Sequence, residues 1–176
     1  MGFFKDELVR VKGFVFDVDG VLSKDTTPLN DEGDPVRTAN VKDGFAIRIA
    51  VNAGYPVAII TGGFIERVRI RYEKLGVVHY YDKVRDKVDC LNDFLAKENL
   101  KAEEILFMGD DLVDYRIMKE VGIPTCPKDA VAEIKEISKY ISDKDGGEGC
   151  VRDVIEQTLK AQEKWFTPDM LNSRAF

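Results

Sequence analysis

Hydrophobic residues in this chain form short continuous runs that alternate with longer stretches of helical spacing. The runs are rich in aromatic and β-branched side chains, which is typical of buried strands. We therefore predict a strand over each of them. The predicted strands cover residues 13–16, 56–60, 77–81, 105–108, 123–126 and 139–141.

The stretches between these runs carry apolar residues three and four positions apart, which predicts amphipathic helices. Ala46, Ile49, Ala50 and Ala53 form one such stripe, and Gly54 follows it as a helix stop. Because strands alternate with helices and each strand is apolar on both faces, the pattern predicts an α/β fold with a doubly wound, Rossmann-like, mostly parallel sheet. The predicted helices cover residues 43–53, 64–75, 85–97, 112–120, 130–137 and 151–164.

Two segments lack helical spacing. Residues 21–41 contain two prolines and a turn-forming cluster at 30–34, flanked by strand-forming residues. We predict a β-hairpin that projects after the first strand, with an irregular surface loop as the alternative. Residues 165–176 form an aromatic tail without a period. At 176 residues the chain is expected to be one domain, 1–176, and its gaps leave no room for a cap domain.

Composition narrows the classes of function. The net charge of −6 argues against a nucleic-acid partner. The three cysteines have no C-x-x-C spacing, which favours free thiols in a reducing compartment. No apolar stretch is long enough to span a bilayer and the N-terminus lacks a signal-peptide core, so we expect no membrane association and a cytoplasmic location.

Polar side chains follow three of the predicted strands. Asp17 and Asp19 follow the first, Thr61 follows the second, and Asp110 and Asp111 follow residues 105–108. An isolated Asp-x-Asp before a glycine is more often a solvated turn. In an open α/β sheet, however, the carboxyl ends of the strands meet at one edge, so we expect these side chains to share a pocket. Several carboxylates in one pocket suit Mg²⁺.

An anionic substrate in such a pocket needs a local positive charge. A lysine supplies a point charge for phosphoryl oxygens. Lys87 opens the third predicted helix, and Lys83 is a competitor by position alone.

Together these residues carry a family resemblance. The chain resembles, in order, the four motifs of haloacid dehalogenase superfamily phosphatases. The matching residues are Asp17-Val18-Asp19-Gly20-Val21, Thr61, Lys87, and Gly109-Asp110-Asp111 with Asp114. A capless branch of that superfamily hydrolyses 3-deoxy-D-manno-octulosonate 8-phosphate. This chain also resembles the motifs of that branch. The matching residues are Asn40-Val41-Lys42-Asp43-Gly44, Arg48, Ile60-Thr61-Gly62, Arg71 and Gly146-Gly147-Glu148-Gly149. The resemblance covers roughly residues 12–160.

The resemblance implies a mechanism. Asp17 would be the nucleophile and Asp19 the general acid and base, while Thr61 and Lys87 would contact the phosphoryl oxygens. Mg²⁺ would be held by Asp17, the backbone carbonyl of Asp19, and Asp110, with Asp111 and Asp114 orienting Lys87 or metal-bound waters. The implied substrate-binding residues are Asp19, Asn40, Val41, Lys42, Asp43, Gly44, Arg48, Arg71 and Lys87.

The resemblance also implies partners. It points to a small phosphosugar substrate, a place in lipopolysaccharide biosynthesis and a homotetramer in which hairpins associate and a neighbour's tail covers the site. The tail carries Trp165, Phe166 and Phe176. The chain departs from the branch at Ser23-Lys24-Asp25 and at Gly63, a position where many members carry a charged residue. These departures leave a nine-carbon 2-keto-3-deoxy sugar acid 9-phosphate open as the substrate.

Two alternatives come from other classes of protein. A phosphorelay receiver domain also places aspartates, a threonine and a lysine at a sheet edge. It takes its phosphate on a single aspartate at a middle strand, whereas Asp17 follows the first strand within an Asp-x-Asp pair. A non-catalytic partner domain of a sugar-nucleotide synthetase is the second alternative, but such a domain has no need to retain Asp17, Asp19, Thr61, Lys87 and Asp110 together.

Overall fold

The computed structural model describes residues 4–168. Six strands form one sheet in the order β3-β2-β1-β4-β5-β6, and every neighbouring pair is parallel. The predicted Rossmann-like fold is therefore confirmed. The strands are β1 (Gly13–Phe16), β2 (Val57–Ile60), β3 (His79–Tyr81), β4 (Ile105–Met108), β5 (Ile123–Cys126) and β6 (Tyr140–Ile141).

The helices cover both faces of the sheet. They are α1 (Phe4–Glu7), α2 (Val41–Asn52), α3 (Glu66–Lys74), α4 (Lys87–Glu98), α5 (Tyr115–Glu120), α6 (Ala132–Ile137) and α7 (Cys150–Ala161). Short 3₁₀ helices occur at Leu8–Arg10, Ala102–Glu104 and Leu112–Asp114. No helix within residues 4–168 has the length and apolar character needed to cross a membrane.

The predicted elements differ from the structure mainly at their ends. The strands β4 and β5 have the predicted bounds, whereas α3 starts two residues later than expected and α7 ends three residues earlier. The first turn of the predicted helix 112–120 is a 3₁₀ helix. The pattern gave no sign of α1, because four residues are too few to show a helical period.

The predicted hairpin is reduced to a looser structure. Residues 28–36 fold back on themselves through a single antiparallel bridge between Leu29 and Pro35, with Val36 donating to the carbonyl of Pro28. No regular strand forms between residues 21 and 41. The two prolines lack the N–H groups that a longer ladder would need.

Core side chains alternate between the two faces of the sheet. Phe14 and Phe16 of β1 are fully buried on the face covered by α2 and α7, and Val15 is buried on the face covered by α4 and α5. The four residues of β1 are buried without exception, as expected for a central strand of a parallel sheet. Burial of both faces fixes the register of β1 and thus the position of the residue that follows it.

The sheet order reverses between β1 and β4. Strands β2 and β3 extend the sheet to one side of β1, and β4, β5 and β6 extend it to the other. Phe16 is paired with Met108 and with Ile59, so the residues after all three strands emerge at one level. A crevice at such a switch point is where open α/β sheets bind ligands.

Candidate active site

Three carboxylates converge at this switch point. Asp17, Asp110 and Asp114 each place one carboxylate oxygen within 4.8 Å of the others. Asp17 is 4% exposed and Asp114 is 0% exposed, so two of the three are removed from solvent. The expected meeting of residues distant in sequence is thus present in the structure.

Lys87 reaches the same cluster from the start of α4. Its Nζ lies 2.9 Å from Oδ2 of Asp17 and 2.6 Å from Oδ1 of Asp114. Burial alone would lower the pKa of Lys87, but the charges of Asp17 and Asp114 outweigh it and raise the pKa, so the ammonium stays charged. Lys83 lies elsewhere, with its Nζ 4.1 Å from the centre of the Phe64 ring.

Asp114 links Lys87 to the backbone of Asp110 through its two carboxylate oxygens. Its Oδ1 accepts from Lys87, and its Oδ2 accepts from the backbone N–H of Asp110 at 3.0 Å. A Cβ on Gly109 would lie 2.5 Å from this carboxyl group, so only glycine leaves Asp114 room at that position. Asp111 has a different task, since its Oδ1 accepts from the N–H of Leu112 and caps the short 3₁₀ helix.

The carboxylates outnumber the cations that face them. Burial raises the pKa of Asp17 to about 7, with a further contribution from Asp114 that Lys87 opposes. Burial also raises the pKa of Asp110 to about 8, assisted by Asp17 and Asp114. In both cases burial and neighbouring carboxylates disfavour the ionised form, and a divalent cation would favour it.

Two carboxylates of the cluster face the space above it and suit a hard cation. Asp114 is fully buried and bonded to Lys87 and to the Asp110 backbone, whereas Asp17 and Asp110 line that space. The Asp110 carboxylate lies against residue 20, where a Cβ would be 1.9 Å from Oδ2. Gly20 has a φ of +77°, a conformation that glycine adopts without strain. Asp110 therefore approaches the backbone immediately after Asp19.

A cavity of about 350 Å³ opens above the cluster, and we call it the acidic cup. Thr61 lies on its wall and accepts a hydrogen bond from the N–H of Gly63 at 3.1 Å, so the hydroxyl proton is available to a ligand. Two charged lining residues, Asp25 and Arg85, were not anticipated. The predicted residues that line the cup are Asp17, Asp19, Thr61, Lys87, Asp110 and Asp111.

Asp19 is held on one side by an arginine that the sequence analysis missed. Arg37 Nε lies 2.8 Å from Oδ1 of Asp19, and Arg37 Nη2 lies 2.9 Å from Oδ2. The hydrogen bond to Asp19 raises the pKa of Arg37. A single arginine in a polar loop carries no sequence signal of this contact, because the contact depends on how the loop folds back.

The residues predicted to bind the sugar lie outside the cup within this chain. Asn40, Val41 and Lys42 line a separate surface depression beside Gly147. The side chain of Asn40 caps α2 by accepting from the N–H groups of residues 42 and 43, and it donates to the Gly147 carbonyl at 3.1 Å.

The two predicted arginines contact backbone carbonyls. Arg48 donates to the Lys74 carbonyl at 2.7 Å, at the end of α3. Arg71 lies with its Nη2 3.4 Å from the Asn40 carbonyl, in a groove that also contains Arg37. Arg71 Nε is buried without a hydrogen-bond partner among the described residues.

Asp43 and Gly44 belong to the junction of α2 with its neighbours. Asp43 is buried and accepts from the N–H of Arg152 at 2.7 Å, which ties α2 to the first turn of α7. Burial raises the pKa of Asp43 to about 6, opposed by the hydrogen bond from Arg152. A Cβ on Gly44 would lie 2.8 Å from Arg71 Nη2, so the glycine admits that guanidinium.

Comparison with known proteins places these features in context. Residues 57–155 match the haloacid dehalogenase-like hydrolase family. The chain is 36% identical over 160 residues to the 3-deoxy-D-manno-octulosonate 8-phosphate phosphatase KdsC of Salmonella typhi, which covers 91% of this chain and 84% of that protein. It is 32% identical over 155 residues to KdsC of Yersinia pestis, with 88% and 83% covered.

Solved structures of such phosphatases are also similar to this chain. The crystal structure of the Yersinia pestis phosphatase has a TM-score of 0.87 at 31% identity, covering 92% of this chain and 87% of that one. The Moraxella catarrhalis phosphatase, crystallised with magnesium, phosphate and KDO, has a TM-score of 0.85 at 32% identity, covering 91% and 92%.

Proposed function

Because this chain belongs to the haloacid dehalogenase-like hydrolase family, we propose that it is a Mg²⁺-dependent sugar phosphatase acting on 3-deoxy-D-manno-octulosonate 8-phosphate. One observation carries the proposal: a nucleophile candidate, Asp17, lies 2.9 Å from a buried lysine within an acidic cluster that is short of positive charge. The relatives' names supply the substrate, and the family resemblance implies a place in lipopolysaccharide biosynthesis.

The proposed reaction has two balanced steps. In the first, an oxygen of Asp17 bonds to phosphorus, the bond from phosphorus to the sugar oxygen breaks, and Asp19 gives that oxygen a proton. In the second, water attacks the aspartyl-phosphate, Asp19 takes the proton of the water, and inorganic phosphate leaves. The backbone N–H of Val18 and the ammonium of Lys87 hold one Asp17 oxygen each, which orients the carboxylate for attack.

Other side chains stabilise the phosphoryl oxygens in this scheme. Thr61 donates its hydroxyl proton, and Lys87 supplies a positive charge that Asp114 keeps in place. The site's oxygen donors fit Mg²⁺, with Asp17, the backbone carbonyl of Asp19, and Asp110 as its proposed protein ligands. When bound, the cation neutralises negative charge on the transferring group.

The sugar acid is proposed to contact residues 40–44, Arg48 and Arg71, as the family resemblance implies. The nine-carbon sugar acid 9-phosphate remains the alternative substrate, because Gly63 brings no side chain to the cup wall. Comparison of kcat/KM for the two phosphosugars decides between them. A preference for the nine-carbon compound would overturn the assignment of the substrate and leave the reaction type intact.

We also propose a homotetramer in the cytoplasm. The cup is open in this chain, and exclusion of water favours a neighbour that covers it. Leu29, Val36 and Val41 are exposed large apolar residues on and beside the projecting loop, which suits association of these loops. Phe176 of the proposed covering tail lies outside the described residues. Light scattering at working concentration is expected to give the tetramer mass, and a monomer would contradict the assembly.

Substitution of the nucleophile tests the reaction. Asp17→Asn should abolish phosphate release while the protein remains folded, because the neutral amide cannot form the aspartyl-phosphate. Asp6→Asn, at an exposed position of α1, serves as the matched control. Retained turnover in Asp17→Asn would exclude Asp17 as the nucleophile. Steady release of phosphate by the unmodified protein also separates a phosphatase from a receiver, which would stop after one stable phosphorylation.

A further inference from the structure

Arg37 makes a partly buried, two-pronged contact with Asp19 that the reaction scheme does not explain. Its Nε and Nη2 each bind one carboxylate oxygen, at 2.8 and 2.9 Å, and its Nη1 donates to the Pro35 carbonyl at 3.2 Å. The Arg37 side chain is only 12% exposed. An exposed ion pair of long side chains contributes little to stability, but a forked guanidinium–carboxylate pair fixes the orientation of the carboxylate through two hydrogen bonds.

The contact leaves Asp19 able to face the acidic cup. The Asp19 side chain is 45% exposed and lines the cup wall. Each carboxylate oxygen has two lone pairs, and the fork engages one direction on each. The remaining directions are free for a proton donor or acceptor within the cup. Arg37 therefore restrains the orientation of Asp19 without covering it.

Gly63 provides the space in which the guanidinium lies. A Cβ built on Gly63 would be 2.6 Å from Nη2 of Arg37 and 3.5 Å from Oδ2 of Asp19. Gly63 is not among the residues with positive φ, so its backbone does not require glycine. The requirement comes from Arg37, whose guanidinium occupies the volume that a side chain at position 63 would take.

We propose that Arg37, seated over Gly63, is a positioning residue that fixes the Asp19 carboxylate for proton transfer to and from the substrate. The inference rests on the proposed function, because it concerns the residue assigned there to proton transfer. It adds a residue from the projecting loop to the machinery at the sheet edge. It also explains why position 63 lacks a side chain.

Arg37→Ala should lower kcat with little change in KM. A misplacement of about 1 Å can cost on the order of 100-fold in rate, so we expect a loss of about tenfold to 100-fold. Arg37→Lys should recover part of the loss, because an ammonium retains the charge and cannot form the fork. Arg10→Ala, at an exposed position before β1, is the control for loss of one positive charge. Circular dichroism and thermal unfolding check that each variant is folded.

A double-mutant cycle with Gly63→Ala separates positioning from a general structural effect. The added methyl group should displace the Arg37 guanidinium, so Gly63→Ala alone should lower kcat in the same way as Arg37→Ala. In the Arg37→Ala background, Gly63→Ala should not lower kcat further, because the guanidinium that the methyl group would displace is absent. Independent effects of the two substitutions would overturn the role of Gly63 as the seat of Arg37.

The outcomes distinguish this inference from the proposed function. If the unmodified protein fails to hydrolyse either phosphosugar, the proposed function fails before Arg37 is tested. If it is active and folded Arg37→Ala keeps kcat within twofold, the positioning role is wrong. A rise in KM alone would also overturn it, since that result assigns Arg37 to substrate binding.

Discussion

The burial of carboxylates at the acidic cup predicts an unusual dependence of stability on pH. Without metal, the pKa of Asp17 is raised to about 7 and that of Asp110 to about 8, both chiefly by burial. The unfolded chain loses these protons near pH 4. Between these limits the folded state binds more protons than the unfolded state. The free energy of unfolding of the metal-free protein should therefore fall as the pH rises from 5 to 8.

The size of the effect follows from proton linkage. Each extra proton held by the folded state changes the free energy of unfolding by about 1.4 kcal/mol per pH unit, or about 3 kcal/mol per proton between pH 5 and 7. For a chain of 176 residues, each kcal/mol moves Tm by about 2–4 °C. Mg²⁺ replaces the protons, so its stabilising effect should grow with pH. At 100 times its Kd a ligand adds about 2.7 kcal/mol.

Thermal unfolding in EDTA and in excess Mg²⁺, at half-unit steps from pH 5.5 to 8.5, measures both effects. Asp110→Asn is the informative variant, because it removes one of the two charges and one proposed ligand. It should flatten the pH dependence, raise the metal-free Tm at pH 8 above that of the unmodified protein, and remove the response to Mg²⁺. A metal-free protein that gains stability from pH 6 to 8, or a response to Mg²⁺ that is independent of pH, would refute this reasoning.

Three further predictions concern stability, each measured by urea unfolding. Asn40→Ala should cost about 1 kcal/mol because it removes the cap of α2, and Asn40→Ser should retain most of the cap. Gly122→Ala should cost about 1–3 kcal/mol, since its Cβ would lie 2.2 Å from the Glu103 carbonyl oxygen; an unchanged midpoint would contradict the close packing. Phe107→Ala should cost about 3–5 kcal/mol through a cavity in the fully buried core, and a loss below 1 kcal/mol would show that the site collapses around it.

The acidic cluster could be predicted because its members follow strands. Asp17 and Asp110 come directly after runs of apolar residues, and parallel strands bring such positions to one edge. Position alone left Lys87 and Lys83 open, and the family resemblance favoured Lys87. Lys87 begins α4 and points into the cluster, whereas Lys83 precedes the helix and lies over Phe64.

Contacts made by loops could not be predicted from the sequence. The fork from Arg37 to Asp19 joins residues 18 positions apart through a loop that has no periodic pattern. The hydrogen bond between Asn40 and Gly147 spans 107 positions. Neither contact follows from hydrophobic spacing, because polar surface residues have no preferred face that a period could report.

The amino-acid sequence alone determined the alternation of strands and helices, the parallel sheet and the carboxylates at its edge. These follow from short-range rules, since burial on two faces and helical spacing are properties of neighbouring residues. Only the tertiary structure decided that Lys87 bridges Asp17 and Asp114, that Asp17 and Asp110 face the cup, and that Arg37 restrains Asp19. Those outcomes depend on contacts of 2.6–2.9 Å between segments that meet only when the chain has folded.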